Sequence, residues 1–149
     1  MGFDLTPVLP ELFLLLAGLA LLVVGVTLRE GEASRIVSTL AVLALLIAAI
    51  IVTASDKSPQ LALGAHYIAD GFSAFLKVLL FVGAALAILL AQGFLRDRRI
   101  ERFEYALLVL FSTLGMSMMV SANSFLALYM GLELSALPLY VLAAFDRDN

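Results

Sequence analysis

The sequence predicts an all-α, polytopic membrane protein, and three observations support this fold class. Of its 149 residues, 63% are hydrophobic, and the mean hydropathy is +1.09. Only 14% of the residues are charged, whereas soluble domains contain about 25%. The third observation is a series of apolar segments near the length of about 20 residues that a membrane-spanning helix needs. We therefore expect an integral membrane protein with five transmembrane helices.

The predicted spans follow one another with short polar connections. They are residues 8–28, 36–54, 72–95, 105–120 and 125–145. The first is too long for a cleaved signal peptide, and no basic region precedes it. The polar connection 55–70 is expected to contain a short extended or hairpin piece. No repeat or linker divides the chain. Residues 1–100 hold the three amino-terminal helices, and residues 101–149 hold the fourth and fifth helices.

Basic residues are distributed unequally between the two sides of the predicted membrane segment. One side holds only Lys57, and the other holds Arg29, Arg35, Arg96, Arg98, Arg99, Arg102 and Arg147. Cytoplasmic connections carry an excess of Lys and Arg in membrane proteins. We therefore expect the amino terminus to lie outside and the chain after the fifth helix to lie in the cytoplasm.

A carboxylate occupies the middle of the fifth span. Glu133 has largely apolar helix on both sides, which places it near the bilayer midplane. A charge at that depth costs about 2.5–3.5 kcal/mol on insertion scales, so it is by default a functional-site hypothesis. Pro138 lacks the N–H that would bond the Leu134 carbonyl, which predicts a free acceptor and a kink beside the acid. The alternative is a protonated Glu133 that only bonds a neighbouring helix.

Small hydroxyl residues recur along the fourth span. Thr113, Ser117 and Ser121 are spaced by four residues, which aligns their side chains on one helical face. They could form a wetted seam beside the fifth helix. Alternatively, they could bond their own backbone or a neighbouring helix and serve close packing, together with Gly115, Gly131 and Ser135.

Several polar residues near the ends of the spans have two interpretations. Glu11, at the start of the first span, is expected to lie in the membrane interface. Lys77 could extend to the headgroups or act inside the bundle, with Asp70 as its partner. Tyr129 and Tyr140 could donate a hydrogen bond to a carboxylate or anchor the helix at the interface.

The residue inventory makes redox chemistry on this chain unexpected. It contains no cysteine and a single histidine, His66, so iron–sulfur ligation and a thiolate metal site are excluded. No glycine-rich nucleotide turn is present. We expect neither a cofactor nor a metal on this chain, and no nucleic-acid partner.

Three stretches resemble a known family. They are 68–77 (IADGFSAFLK), 103–116 (FEYALLVLFSTLGM) and 128–145 (LYMGLELSALPLYVLAAF), with 121–123 (SAN) between the last two. Together they resemble subunit N of bacterial respiratory complex I, the proton-translocating NADH–quinone oxidoreductase. The Gly-Leu-Glu-Leu core around Glu133 favours subunit N over its antiporter-like sister subunits L and M.

This resemblance implies a fold of about fourteen helices, with two inverted five-helix repeats, of which the fourth and fifth helices here would begin the first. It implies that Glu133 pairs with a lysine two helices later and modulates that lysine's proton affinity. The sequence ends at Asn149, before that lysine, so we expect it to be part of a longer protein. The alternative is that another chain supplies the rest. The implied location is the bacterial cytoplasmic membrane.

Two hypotheses about the function, one a proton translocase and one a structural protein, remain open. In the first, the chain is part of a redox-coupled proton translocase, and Glu133 is a relay carboxylate. Quinone, FMN and iron–sulfur clusters would then belong to partner subunits, and the partners would be other membrane-arm subunits and lipid. In the second, it is a non-pumping structural or assembly subunit. A cation/proton antiporter subunit is a third option.

Overall fold

A computed structural model describes residues 8–28, 30–54, 60–62, 67–97 and 103–144. Its elements, in chain order, are α1 (Leu9–Thr27), α2 (Glu30–Ala54), β1 (Gln60–Ala62), β2 (Tyr67–Ala69), α3 (Gly71–Asp97), α4 (Phe103–Val120) and α5 (Phe125–Ala143). Each of these five helices is long and apolar enough to cross a membrane. The predicted all-α, multi-pass fold with five spans is therefore confirmed.

Helix α4 lies at the centre of the bundle and packs against each of the other four helices. One large hydrophobic cluster contains residues of α1, α2, α3 and α4. Its fully buried members include Leu14, Leu45, Phe81, Ile88 and Leu110. Helix α5 packs chiefly on α4 and leaves most of its large apolar side chains exposed. Burial in this bundle therefore arises mainly among α1, α2, α3 and α4, and α5 is buried chiefly where it faces α4.

One face of α1 is buried along its length. Its buried positions after the first-turn Pro10 are spaced alternately by three and four residues: Glu11, Leu14, Gly18, Leu21 and Gly25. Residues at this spacing share one side of a helix. The glycines admit aromatic rings of α4, since a Cβ on Gly18 would lie 2.8 Å from the Phe111 ring. Glu11 is on the same face and is therefore directed into the bundle.

The two strands form the hairpin predicted in the connection between the second and third spans. They pair antiparallel, with Ala62 opposite Tyr67. The Ile68 N–H donates to the Ser121 carbonyl at 2.7 Å, and Tyr67 forms an isolated bridge with Ala122. Tyr67 also packs with Val8 in a small buried cluster. The hairpin thus covers the end of the bundle where α1 begins and α4 ends.

A tight turn joins α4 to α5, as predicted for residues 121–124. Ser124 caps α5, and its side chain accepts a hydrogen bond from the Ala127 N–H at 3.1 Å. The two helices approach so closely that a Cβ on Gly115 would lie 2.4 Å from the Ser135 backbone nitrogen. The expected role of Gly115, Gly131 and Ser135 in close packing is confirmed.

The helix limits differ from the prediction mainly in α2, which begins at Glu30 and not at residue 36. Its first turns are polar, and helical hydrogen bonding does not require apolar side chains. Several residues of the sequence analysis lie outside the described ranges: Arg29, Lys57, His66, Arg98, Arg99, Arg102 and Arg147. The membrane orientation accordingly stays a prediction.

Candidate functional site

Glu133 lies in the middle of α5 and is half-buried. At a rise of about 1.5 Å per residue it is roughly 12 Å along the helix axis from Phe125. Its depth in the membrane stays a prediction. Pro138 is buried one turn further along the same helix. Within the described parts of the chain, Glu133 takes part in no ion pair. Its relay role stays a prediction.

The backbone of α5 near Pro138 is held by α4. The Ser112 hydroxyl donates to the Ser135 carbonyl at 3.0 Å. The Ser135 hydroxyl donates within its own helix to the Leu132 carbonyl at 2.9 Å. The bond from Ser112 joins α4 to α5 within one turn of Glu133 and thereby fixes the height of Glu133 relative to α4.

A second carboxylate forms a buried ion pair at the end of the bundle covered by the hairpin. The Lys77 Nζ lies 2.6 Å from the Glu11 Oε1, and each side chain is only 3% exposed. Lys77 lies on the inward stripe of α3 with Ser73, Phe81, Ala85 and Ile88. Helices α1 and α3 thus bring opposite charges together inside the protein.

Two hydroxyl groups complete this arrangement, which we call the Glu11 cluster: Glu11, Tyr67, Lys77 and Ser117. The Tyr67 hydroxyl donates to the Glu11 Oε2 at 2.9 Å, and the Ser117 hydroxyl donates to the Oε1 at 2.5 Å. The Lys77 ammonium group also donates to the Tyr67 hydroxyl oxygen. Its Nζ lies 4.5 Å from the centroid of the Tyr67 ring, within the range of a cation–π interaction.

Local structure sets the position of each member of the cluster. Asp70 and Ser73 form a reciprocal cap at the start of α3, in which the Ser73 N–H donates to the Asp70 Oδ1 at 2.8 Å. The Asp70 N–H donates back to the Ser73 Oγ at 3.0 Å. This cap fixes where α3 begins and therefore the height of Lys77. At a rise of about 1.5 Å per residue, Lys77 lies about 9 Å along the helix axis from Gly71. The β2 hydrogen bond to Ser121 places Tyr67 beside α4.

Tyr67 is the member of the cluster that lies outside the membrane-spanning helices. Burial, followed by the negative charge of Glu11, raises the pKa of the Tyr67 phenol well above its usual range. Removal from water disfavours a phenolate, and a nearby carboxylate repels it. The phenol therefore stays protonated at neutral pH and can donate to Glu11.

Three expectations about this end of the bundle are wrong. Glu11 is not exposed at the surface of the bundle as an interfacial carboxylate would be, because the buried face of α1 carries it against α3 and α4. The Lys77 side chain does not extend outward from the bundle, because its stripe of α3 faces inward. Its placement inside the bundle is confirmed, and a role for it there stays a prediction. Asp70 is not its ion-pair partner, because its carboxylate caps α3.

The hydroxyl stripe of α4 serves two different purposes. Thr113 donates to its own Val109 carbonyl at 2.7 Å, as expected for a residue that serves packing. Ser117 contacts Glu11 of α1, so the expected seam beside the fifth helix is wrong for this residue. Ser121 is fully buried next to β2. The face of α4 toward α5 carries Ser112 instead.

Tyr129 and Tyr140 are exposed on α5, at 61% and 68%. Neither donates to a carboxylate within the described residues, and the tyrosine that does is Tyr67. Sequence reasoning missed both Tyr67 and the pairing of Glu11 with Lys77. A signal for the pairing existed. The first and third spans start from the same side of the membrane, so an acid and a base near their starts lie at similar depth.

The sequence is similar to that of NADH-quinone oxidoreductase subunit N in several bacteria. The protein from Paramagnetospirillum magneticum is 49% identical over 146 residues, which cover 98% of this chain and 30% of the relative. The protein from Rhodospirillum rubrum is 49% identical over 147 residues, which cover 97% of this chain and 30% of the relative. No protein-family model matches the chain.

A solved structure agrees with the sequence comparison. A chain of respiratory complex I from Thermus thermophilus with bound aureothin superposes with a TM-score of 0.74 at 29% sequence identity. The match covers 90% of this chain and 28% of that chain. This chain spans about 30% of the length of the curated relatives it matches. The resemblance to subunit N drawn from the sequence is confirmed.

Proposed function

We propose that this chain, homologous over nearly its whole length to part of NADH-quinone oxidoreductase subunit N, acts as a membrane-arm component of such an oxidoreductase. The observation that carries the proposal is the 49% identity, which is supported by the fold shared with a chain of respiratory complex I. The partners are other membrane-arm subunits and the lipid of a bacterial cytoplasmic membrane. Quinone, FMN and iron–sulfur clusters reside in partner subunits.

The proposed contribution of this chain is to proton translocation coupled to electron transfer from NADH to quinone. Glu133 is its relay carboxylate, and its position in the middle of a membrane-spanning helix supports this role. A half-buried carboxylate at that depth needs a cation or a proton. Because the described residues pair no cation with Glu133, we propose that the cation is a lysine outside the described residues.

Substitution of Glu133 tests the relay. Glu133→Gln keeps the shape and most hydrogen bonding but removes the charge, so redox-driven proton uptake should fall. Glu133→Asp keeps the charge at shorter reach and should retain part of the uptake. Both variants are measured in membrane vesicles that contain the full-length subunit, with uptake normalised to assembled complex. A partial loss is expected for Gln, since parallel routes in sister subunits sustain some pumping.

A structural or assembly role for Glu133 predicts the opposite pattern. Glu133→Gln would then pump normally, and Glu133→Ala would lower the abundance of the complex through a lost interhelical bond of about 0.6–2 kcal/mol. Wild-type uptake by the Gln variant would remove Glu133 from the mechanism.

The orientation of the chain is a separate prediction from the arginine asymmetry. A reporter fused after residue 149 should be cytoplasmic, and one inserted near residue 59 should be external, because basic connections remain on the cytoplasmic side. Protease protection of the two reporters in intact cells measures this. The reverse result for both reporters would overturn the orientation.

A further inference from the structure

We infer that the Glu11 cluster is a second proton-exchange site of this chain, in which Glu11, Lys77 and Tyr67 hold and transfer a proton at the hairpin end of the bundle. The inference rests on the proposed function, because it places the site in a proton-translocating complex. It concerns residues of α1, β2 and α3, which are separate from Glu133 on α5.

The geometry provides two routes for a proton between Lys77 and Glu11. In the direct route, the Lys77 Nζ donates to the Glu11 Oε1 at 2.6 Å. In the second route, the ammonium group donates to the Tyr67 hydroxyl oxygen, and that hydroxyl donates to the Oε2 at 2.9 Å. Every bond in this ring joins a group that can lose a proton to one that can accept it.

The transfer through Tyr67 is balanced. An N–H bond of Lys77 breaks as an O–H bond forms on Tyr67, while the original Tyr67 O–H breaks and an O–H forms on the Glu11 Oε2. The ammonium becomes an amine, the carboxylate becomes a carboxylic acid, and Tyr67 is unchanged. The pair is neutral before and after, so it can take up one further proton or release one with a change of a single charge.

Stability alone does not account for a pair in this place. Buried ion pairs are often no more stabilising than apolar residues of similar volume, since removing two charges from water offsets their attraction. Charged residues inside membrane segments instead mark ion and proton routes. Here each of the two charged side chains is only 3% exposed. Two hydroxyl groups also contact this pair.

The cluster connects the interior of the bundle with its end. Lys77 and Ser117 belong to membrane-spanning helices, whereas Tyr67 belongs to the hairpin outside them. Buried Ser121 adjoins Tyr67 through the β2 hydrogen bond. Among the residues that the structure describes, the other ionisable group near the cluster is Asp70, whose carboxylate is engaged at the cap of α3. Among the described residues, Tyr67 is therefore the member of the cluster on the hairpin side.

The test compares three variants in vesicles that carry the assembled complex with the full-length subunit. Glu11→Gln combined with Lys77→Met removes both charges together and retains volume and a hydrogen-bonding group. Tyr67→Phe removes the second route and keeps the aromatic ring over Lys77. Glu104→Gln is the matched control, because Glu104 is an exposed carboxylate on α4. NADH-driven proton uptake per electron is measured together with the abundance of the complex.

We expect the double variant to assemble at wild-type abundance and its proton uptake to fall by about twofold or more, since positioned proton-transfer groups typically contribute about 10²–10⁴-fold to their step. Tyr67→Phe should lower uptake by a smaller factor, because the direct route remains, and Glu104→Gln should pump normally. Wild-type uptake by the assembled double variant would overturn the inference and leave a structural ion pair.

If the double variant does not assemble, Tyr67→Phe decides, since it preserves the ion pair. Normal uptake by Tyr67→Phe at normal abundance then counts against the site, and reduced uptake at normal abundance supports it. Glu133→Gln in the same preparation separates this inference from the proposed function. Loss with Glu133→Gln and none with the cluster variants would overturn the inference alone, whereas loss with neither would overturn both.

Discussion

Lys77→Met on its own should strongly reduce the amount of folded protein in the membrane, because it leaves the Glu11 carboxylate buried without its cation. The charged atoms are 2.6 Å apart, and both side chains are 3% exposed. Removing one partner of a buried ion pair destabilises a protein by about 3–5 kcal/mol. The measurement is the abundance of the subunit in membranes, together with its thermal unfolding in detergent.

The converse single substitution, Glu11→Gln, should destabilise for the same reason, since it leaves Lys77 buried without its anion. Glu104→Gln removes a carboxylate from an exposed position of α4 and should leave both measurements near wild type. The combined Glu11→Gln and Lys77→Met variant should be more stable than either single variant. Wild-type abundance and unfolding temperature for both single variants would show that the pair contributes nothing to folding.

Gly115→Ala should separate α4 from α5 and lower the stability of the protein. The added Cβ would lie 2.4 Å from the Ser135 backbone nitrogen and 2.9 Å from the Gly131 carbonyl oxygen. These are backbone atoms, so a change of side-chain rotamer cannot relieve the contact. Overpacking of this kind costs about 1–3 kcal/mol, and the bond from Ser112 to the Ser135 carbonyl would lengthen. Thermal unfolding in detergent measures the effect.

Gly83→Ala provides the matched control for this substitution. It makes the same chemical change in the middle of α3, where an added Cβ meets no atom within 4 Å. Alanine favours helix over glycine by about 1 kcal/mol, so this variant should be as stable as wild type or more stable. Equal unfolding temperatures for the two variants would show that the α4–α5 contact is looser than its geometry indicates.

The five spans could be predicted because the bilayer imposes one length and one polarity on every crossing segment. The exact ends of the helices depend on hydrogen bonding and were harder to predict from the sequence. Helix α2 continues through polar residues to Glu30, and nothing in a hydropathy pattern marks that start. The close contact of α4 and α5 followed from small residues joined by a tight turn, since Gly115 and Gly131 leave room for backbone contact.

The buried site was only partly accessible to sequence reasoning. The midplane depth of Glu133 follows from counting residues, and its partners do not. Glu11 and Lys77 each resemble an interfacial charge when their own segment is considered alone. Their pairing depends on which helical face is buried and on how the hairpin places Tyr67, and both are set by tertiary packing among segments far apart in the chain. Pairwise comparison of opposite charges at equal depth would have suggested it.

The separation of Glu11 and Lys77 along the chain has a consequence for biogenesis. A ribosome completes α1 before it has made α3, so the acid reaches the membrane before its base exists. During that interval a carboxylate charge exposed to lipid would be costly. The nascent first helix must therefore keep Glu11 in contact with water, or insert it as the uncharged acid, until the third helix arrives. The ion pair itself can form only after the third helix has been made, so the first helix reaches its final surroundings later than its place in the chain suggests.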